Sequence, residues 1–185
     1  MNIENASWTL DALFIKKDLI AKPKFQRDKK WTLTPEKKNI PNYKDYINFL
    51  ISNKNSVFPI SLGTEIKDGI IMYIVIDGNN RLNSIITFLE NPYLIFSEYY
   101  DNLFDIINKS EIDKNIMEKI ISSIKALSYK QISNFRRLGD ILPSIVISSE
   151  LFRNREDELI NIQKKFLYKD NSCYDNIIKL NINIF

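Results

Sequence analysis

Apolar residues recur along this chain with two different periods, and the switches between them mark its elements. Leu10, Leu13 and Phe14 fall on one face of a short helix that Ser7 or Thr9 can cap and that runs to about Lys17. Leu19 to Arg27 reads as extended. Pro23 disfavours helix there, so Phe25, Gln26 and Arg27 fall at the exit of a strand. Pro41 opens a second helix, in which Tyr43, Tyr46, Ile47, Leu50 and Ile51 recur at helical spacing. Two strands follow, Val57 to Leu62 and Ile70 to Ile76, joined by a polar loop that ends in Asp68-Gly69. The second run is almost continuously apolar, which predicts a central strand covered on both faces. From Asn79 the period becomes helical, with Leu82, Ile85, Ile86 and Leu89 on one face and Pro92 as the stop. A strand therefore runs straight into a helix amino terminus.

Further along, Ile116, Met117, Ile120, Ile121, Ile124 and Leu127 mark another amphipathic helix. Ile141 to Ile147, interrupted by Pro143, reads as an edge strand, and Glu156 to Leu167 as helix. Leu180, Ile182 and Ile184 alternate as in a strand. With no repeat, linker or low-complexity block, the pattern predicts one α+β domain. Residues 1–95 form its core, and 96–185 are a mainly helical continuation.

Composition narrows the chemistry. The 185 residues contain no histidine and one cysteine, Cys173. That excludes a His general base, a His-dependent triad, HNH-type nuclease catalysis, an internal disulfide and a zinc site of Cys and His ligands. No nuclease activity is expected from this chain alone. The four glycines, Gly63, Gly69, Gly78 and Gly139, fit neither dinucleotide-binding nor Walker-type spacing. No apolar run reaches the roughly 20 residues that span a bilayer, and the first residues lack the pattern of a secretion signal, so an intracellular or packaged protein is expected. Net charge is only +3, but residues 16 to 44 carry +7 and the remainder −4. That segment, with Lys29, Lys30, Lys37 and Lys38, is either an ordinary solvated face or a surface for nucleic-acid phosphates.

The strand-to-helix switch gathers the polar groups best suited to chemistry. Backbone N–H groups and the helix dipole favour anions at a helix amino terminus. Gly78 has no side chain to hold a phosphate off the backbone, and Arg81 can offer a planar fork of donors. Asp77 can cap the helix, hold a magnesium ion or orient a water. The same residues also make good turn and cap chemistry, so both readings stand on residue type alone.

Order and spacing add a further indication. Pro23-Lys24-Phe25-Gln26-Arg27, then Trp31, an amphipathic helix, Phe58-Pro59-Ile60-Ser61-Leu62, and Val75-Ile76-Asp77-Gly78-Asn79-Asn80-Arg81-Leu82 resemble the amino-terminal domain of GmrSD-type restriction proteins, in the ParB/sulfiredoxin-like superfamily. The likeness covers roughly residues 8 to 90. It implies a small mixed sheet with surrounding helices that binds a nucleoside triphosphate, with hydrolysis serving nucleic-acid defence or processing. Asp77 and Arg81 match the family's hydrolysis motif as catalytic residues. Gly78 matches as a phosphate-binding residue, and Gln26 and Arg27 match the upstream pair. Asn79 and Asn80 stand where the family has two glutamines, and they are expected at the nucleotide with a shorter reach. The implied cofactors are the triphosphate and magnesium at Asp77, and the implied partners are DNA and a separate nuclease or other protein. Two alternatives stay open: a binding or assembly module without turnover, and a nucleotide-gated DNA-binding switch.

Overall fold

The computed structural model describes residues 4–22, 31–34, 41–53, 55–109, 113–133, 160–161 and 179–185. Its hairpin shows how local chemistry builds the frame. Asp68 and Gly69 take φ of 53° and 77°, the left-handed pair that a two-residue turn between twisted antiparallel strands requires. The strands they join, β3 (Ile60–Lys67) and β4 (Ile70–Asp77), are longer than the apolar runs suggest. The polar stretch before Asp68, expected as a loop, is paired strand from Gly63 to Lys67. β3 begins at Ile60 because Val57 and Phe58 form a bend and Pro59 has no N–H for a ladder.

Five strands form one mixed sheet in the order β1-β5-β3-β4-β2. β1 (Glu4–Thr9) and β5 (Lys179–Ile184) pair antiparallel, β5 lies parallel to β3, and β2 (Ile20–Ala21) lies parallel to β4. The alternation of Leu180, Ile182 and Ile184 thus marks a real strand, whereas β1 was not expected. Of the extended stretch Leu19 to Arg27, Ile20 and Ala21 are strand and Leu19 closes a single 3-10 turn. The part from Pro23 onward lies outside the described residues.

α1 (Leu10–Lys16) starts where expected. Thr9 is its cap, its Oγ1 accepting from the Ala12 N–H at 3.2 Å. α2 (Tyr43–Asn53) buries Tyr43, Ile47 and Leu50, and α3 (Asn79–Glu90) buries Leu82, Ile85 and Leu89. One sheet face meets the core through Trp8, Ile60, Leu62, Val75, Leu180 and Ile182. β4 corrects the sequence reading, because Ile70, Ile71 and Ile76 are 54%, 53% and 47% exposed. Only two β2 residues pair with β4, and its apolar side chains are not covered on both faces.

The chain divides into two compact units, Met1–Ile86 with Asp175–Phe185 and Thr87–Tyr174, the boundary falling within α3. The second unit holds α4 (Asp101–Asn108), α5 (Lys114–Lys125) and α6 (Tyr129–Ser133) around an aromatic cluster. Phe88 meets Phe96 and Tyr129 there, and Lys125 lies over the rings of Tyr93 and Phe104. The edge strand expected at 141–147 lies outside the described residues. Within the helix expected at 156–167, Ile160 and Asn161 are described and are helical. The architecture is therefore α+β, and no helix among the described residues is long and apolar enough to cross a membrane.

Candidate functional site

The turn between β4 and α3 is built around Gly78. Its φ is +88°, a conformation that suits glycine, and its carbonyl accepts the Leu82 N–H at 2.8 Å to start α3. A side chain at this position would stand 3.3 Å from the Ile60 Cα and 3.1 Å from Arg81 Nη2. Gly78 thus lets the guanidinium fold back over the turn.

Arg81 is held there from several sides. Nη2 donates to the Pro59 carbonyl and to Asp77 Oδ2, each at 3.0 Å. Its Cζ lies 6.0 Å from the centre of the Phe58 ring. Nε is buried and has no hydrogen-bond partner. The Arg81 side chain is 21% exposed and the Asp77 side chain 74%. An ion pair whose acid is so exposed contributes little, on the order of 0–1 kcal/mol. The contacts with the Pro59 carbonyl and the Phe58 ring therefore set where the guanidinium sits, and the Asp77 carboxylate is left facing solvent beside it.

Tyr46 comes to the same place from α2. Its ring meets Trp31 edge to face at 5.6 Å. Its hydroxyl is buried without a hydrogen-bond partner of normal geometry, and the nearby Ser56 hydroxyl donates to the Phe58 carbonyl at 2.7 Å. Burial raises the Tyr46 pKa, while Ser56 and the Arg81 charge pull it down. The first turn of α3 is braced on its other side. Lys22 Nζ donates to Asn83 Oδ1, and Asn83 Nδ2 donates to Asn79 Oδ1 at 2.9 Å. Asn83 is buried, so this bridge links the end of β2 to the start of α3.

Two cations, Lys22 and Arg81, thus flank the start of α3 on opposite sides, where the helix dipole disfavours positive charge and favours an added anion. Asp77, Gly78, Asn79 and Arg81 lie at the turn between β4 and α3, and Asn80 lies in the same helical turn. Gln26, Arg27, Lys29, Lys30, Lys37 and Lys38 lie outside the described residues. Lys22, Tyr46, Ser56 and Asn83 were not anticipated as site residues. Tyr46 is legible in the sequence only as part of an apolar helix face, and Lys22 only as one charge in a basic segment. Among the described residues, no group of three or more Cys, Asp or Glu side chains is placed to hold a metal ion. No protein-family model matches this sequence, and comparisons with curated proteins and with solved structures find no match either.

Proposed function

We propose that this chain binds the phosphates of a nucleoside triphosphate at the turn between β4 and α3, and that it hydrolyses that nucleotide in nucleic-acid defence or processing. The observation that carries the reading is Arg81, held over the amino-terminal turn of α3 by the Pro59 carbonyl with its Nε unpartnered, while Lys22 bonds Asn83 on the other side of that helix. The resemblance to GmrSD-type amino-terminal domains supports it, and with it a ParB/sulfiredoxin-like version of the α+β fold. In this reading Arg81 binds phosphate oxygens and Asp77 holds magnesium or orients water. Since no cluster of acids lies at Asp77 among the described residues, the ion would take ligands from phosphate and water, as magnesium commonly does.

A second reading, binding without turnover, is favoured by one feature of the site. The Asp77 carboxylate accepts from Arg81, and the Asn79 amide oxygen accepts from Asn83. Asn79 is thus already engaged within the protein, and Asp77 is engaged through one of its two oxygens.

A panel of nucleotides, with binding and phosphate release measured together, separates the two. Arg81→Lys keeps the charge and loses the fork, so affinity and turnover should both fall, by about tenfold. Asp77→Asn should lower turnover while leaving affinity within a few-fold. Thermal unfolding of both variants guards against confusing lost activity with lost fold. Wild-type binding and turnover in both would overturn the proposal.

A further inference from the structure

Successive residues of a strand point to opposite faces. In β1 and β5, Trp8, Leu180 and Ile182 face the core, which leaves Asn5, Ser7, Asn181 and Asn183 on the other side. The register sets Asn5 opposite Asn183 and Ser7 opposite Asn181. It also sets Asn183 opposite Ser61, and a β-bulge between Ser61 and Leu62 brings Asp77 opposite Ser61. A polar row therefore crosses β1, β5 and β3, from Asn5 to Ser61, and the bulge sets the Asp77 end of the phosphate turn beside it on β4. With strands about 4.8 Å apart, Asn183 lies roughly 10 Å and Asn5 roughly 14 Å from the Asp77 rung. A triphosphate and its ribose cover about that distance.

A groove of about 380 Å³ lies at the far end of this row, its polar lining Asn5, Ser7, Asn181 and Asn183 and its apolar lining Ala6, Pro59 and Ile182. That volume falls within the range of small-molecule sites. Carboxamides carry a donor and an acceptor side by side, the pattern that pairs with the edge of a base, and they add no charge that would favour phosphate. Asn181 donates to the Ser56 carbonyl, which anchors its amide. Pro59 joins the two regions, since it lines the groove while its carbonyl holds Arg81. Phe58, next in the chain to Pro59, is 59% exposed and offers an aromatic face.

We infer that this groove receives the base of the nucleotide whose phosphates lie at Gly78 and Arg81, with Asn5 and Asn183 reading its edge. This rests on the phosphate-binding reading above. It makes the ligand a nucleoside triphosphate in preference to a bare phosphate chain.

The test is calorimetric titration of the full chain with each of the four common nucleoside triphosphates and with inorganic tripolyphosphate. Wild type is compared with Asn5→Ala, Asn183→Ala and the double variant. At least one nucleotide should bind wild type more tightly than tripolyphosphate does. The double variant should lose about tenfold or more of that nucleotide's affinity and none of the affinity for tripolyphosphate. Should Asn183→Ala fail to fold by thermal unfolding, Asn5→Ala on the exposed strand carries the comparison alone. Unchanged nucleotide affinity in a folded variant, or equal losses for both ligands, overturns the base site and leaves the phosphate site standing. A wild type that binds tripolyphosphate as well as any nucleotide also overturns it. If wild type binds neither ligand, the phosphate reading and this inference fall together.

Discussion

Replacing Gly78 with alanine tests whether this turn is shaped by the backbone or kept open for a ligand. A residue with a Cβ at φ +88° is strained by about 1–2 kcal/mol. The added carbon would also stand 3.3 Å from the Ile60 Cα and 3.1 and 3.3 Å from two guanidinium nitrogens of Arg81. The Ile60 backbone cannot readily retreat, so Arg81 must shift and give up the Pro59 carbonyl. A hydrogen bond from a charged donor contributes about 1.5–3 kcal/mol, of which water returns a part once the group is exposed. The ion pair with exposed Asp77 adds little. The expected loss is therefore about 2–4 kcal/mol.

Gly69→Ala is the matched control. Its φ is +77° and an added Cβ meets nothing within 4 Å, so only the conformational cost of about 1–2 kcal/mol applies. Urea unfolding followed by tryptophan fluorescence reports on the right part of the chain, because Trp8 and Trp31 both belong to the first unit. Equal destabilisation of the two variants, or a loss below about 1 kcal/mol for Gly78→Ala, would refute the packing argument. Gly78 would then be free to serve the ligand alone.

Asn83→Ala removes the bridge between Lys22 and Asn79 and should cost about 1–3 kcal/mol, less about 0.5 kcal/mol regained from helix propensity. A neutral result in the same unfolding assay would show that the bridge carries no weight. Burial raises the pKa of Tyr43, Tyr46 and Tyr100 above the ordinary value of 10.0. Above pH 10 the unfolded chain loses these protons first while the folded chain retains them. Their contribution, complete below pH 10, should therefore be lost as pH rises through the folded values. Stability against urea at rising alkaline pH, read beside the tyrosinate absorbance, checks this, and unfolding that is insensitive to pH above 10 would count against it. Replacing Lys29, Lys30, Lys37 and Lys38 with glutamine should weaken any DNA or RNA binding and flatten its dependence on salt. An unchanged slope would return that segment to an ordinary solvated face.

What the sequence determined by itself is local. Thr9 caps α1 through a bond to a residue three positions on, and Asp68-Gly69 closes a hairpin between its own neighbours. The change of period at Asp77 to Asn79 places a strand directly before a helix, and the alternation after Lys179 marks a strand. Each depends on groups a few residues apart, whose preferences hold whatever the rest of the chain does. The candidate site was legible to the same depth, as a turn with Asp77, Gly78 and Arg81. Only the tertiary structure decided that β5 lies between β1 and β3, a placement that several strand edges could have offered. Tertiary structure also brought Pro59 to Arg81 across 22 residues and Lys22 to Asn83 across 61. The exposure of β4 has the same origin. A continuous apolar run shows which residues could be buried, but whether anything covers them depends on distant segments whose approach costs loop entropy and is won only by packing in three dimensions.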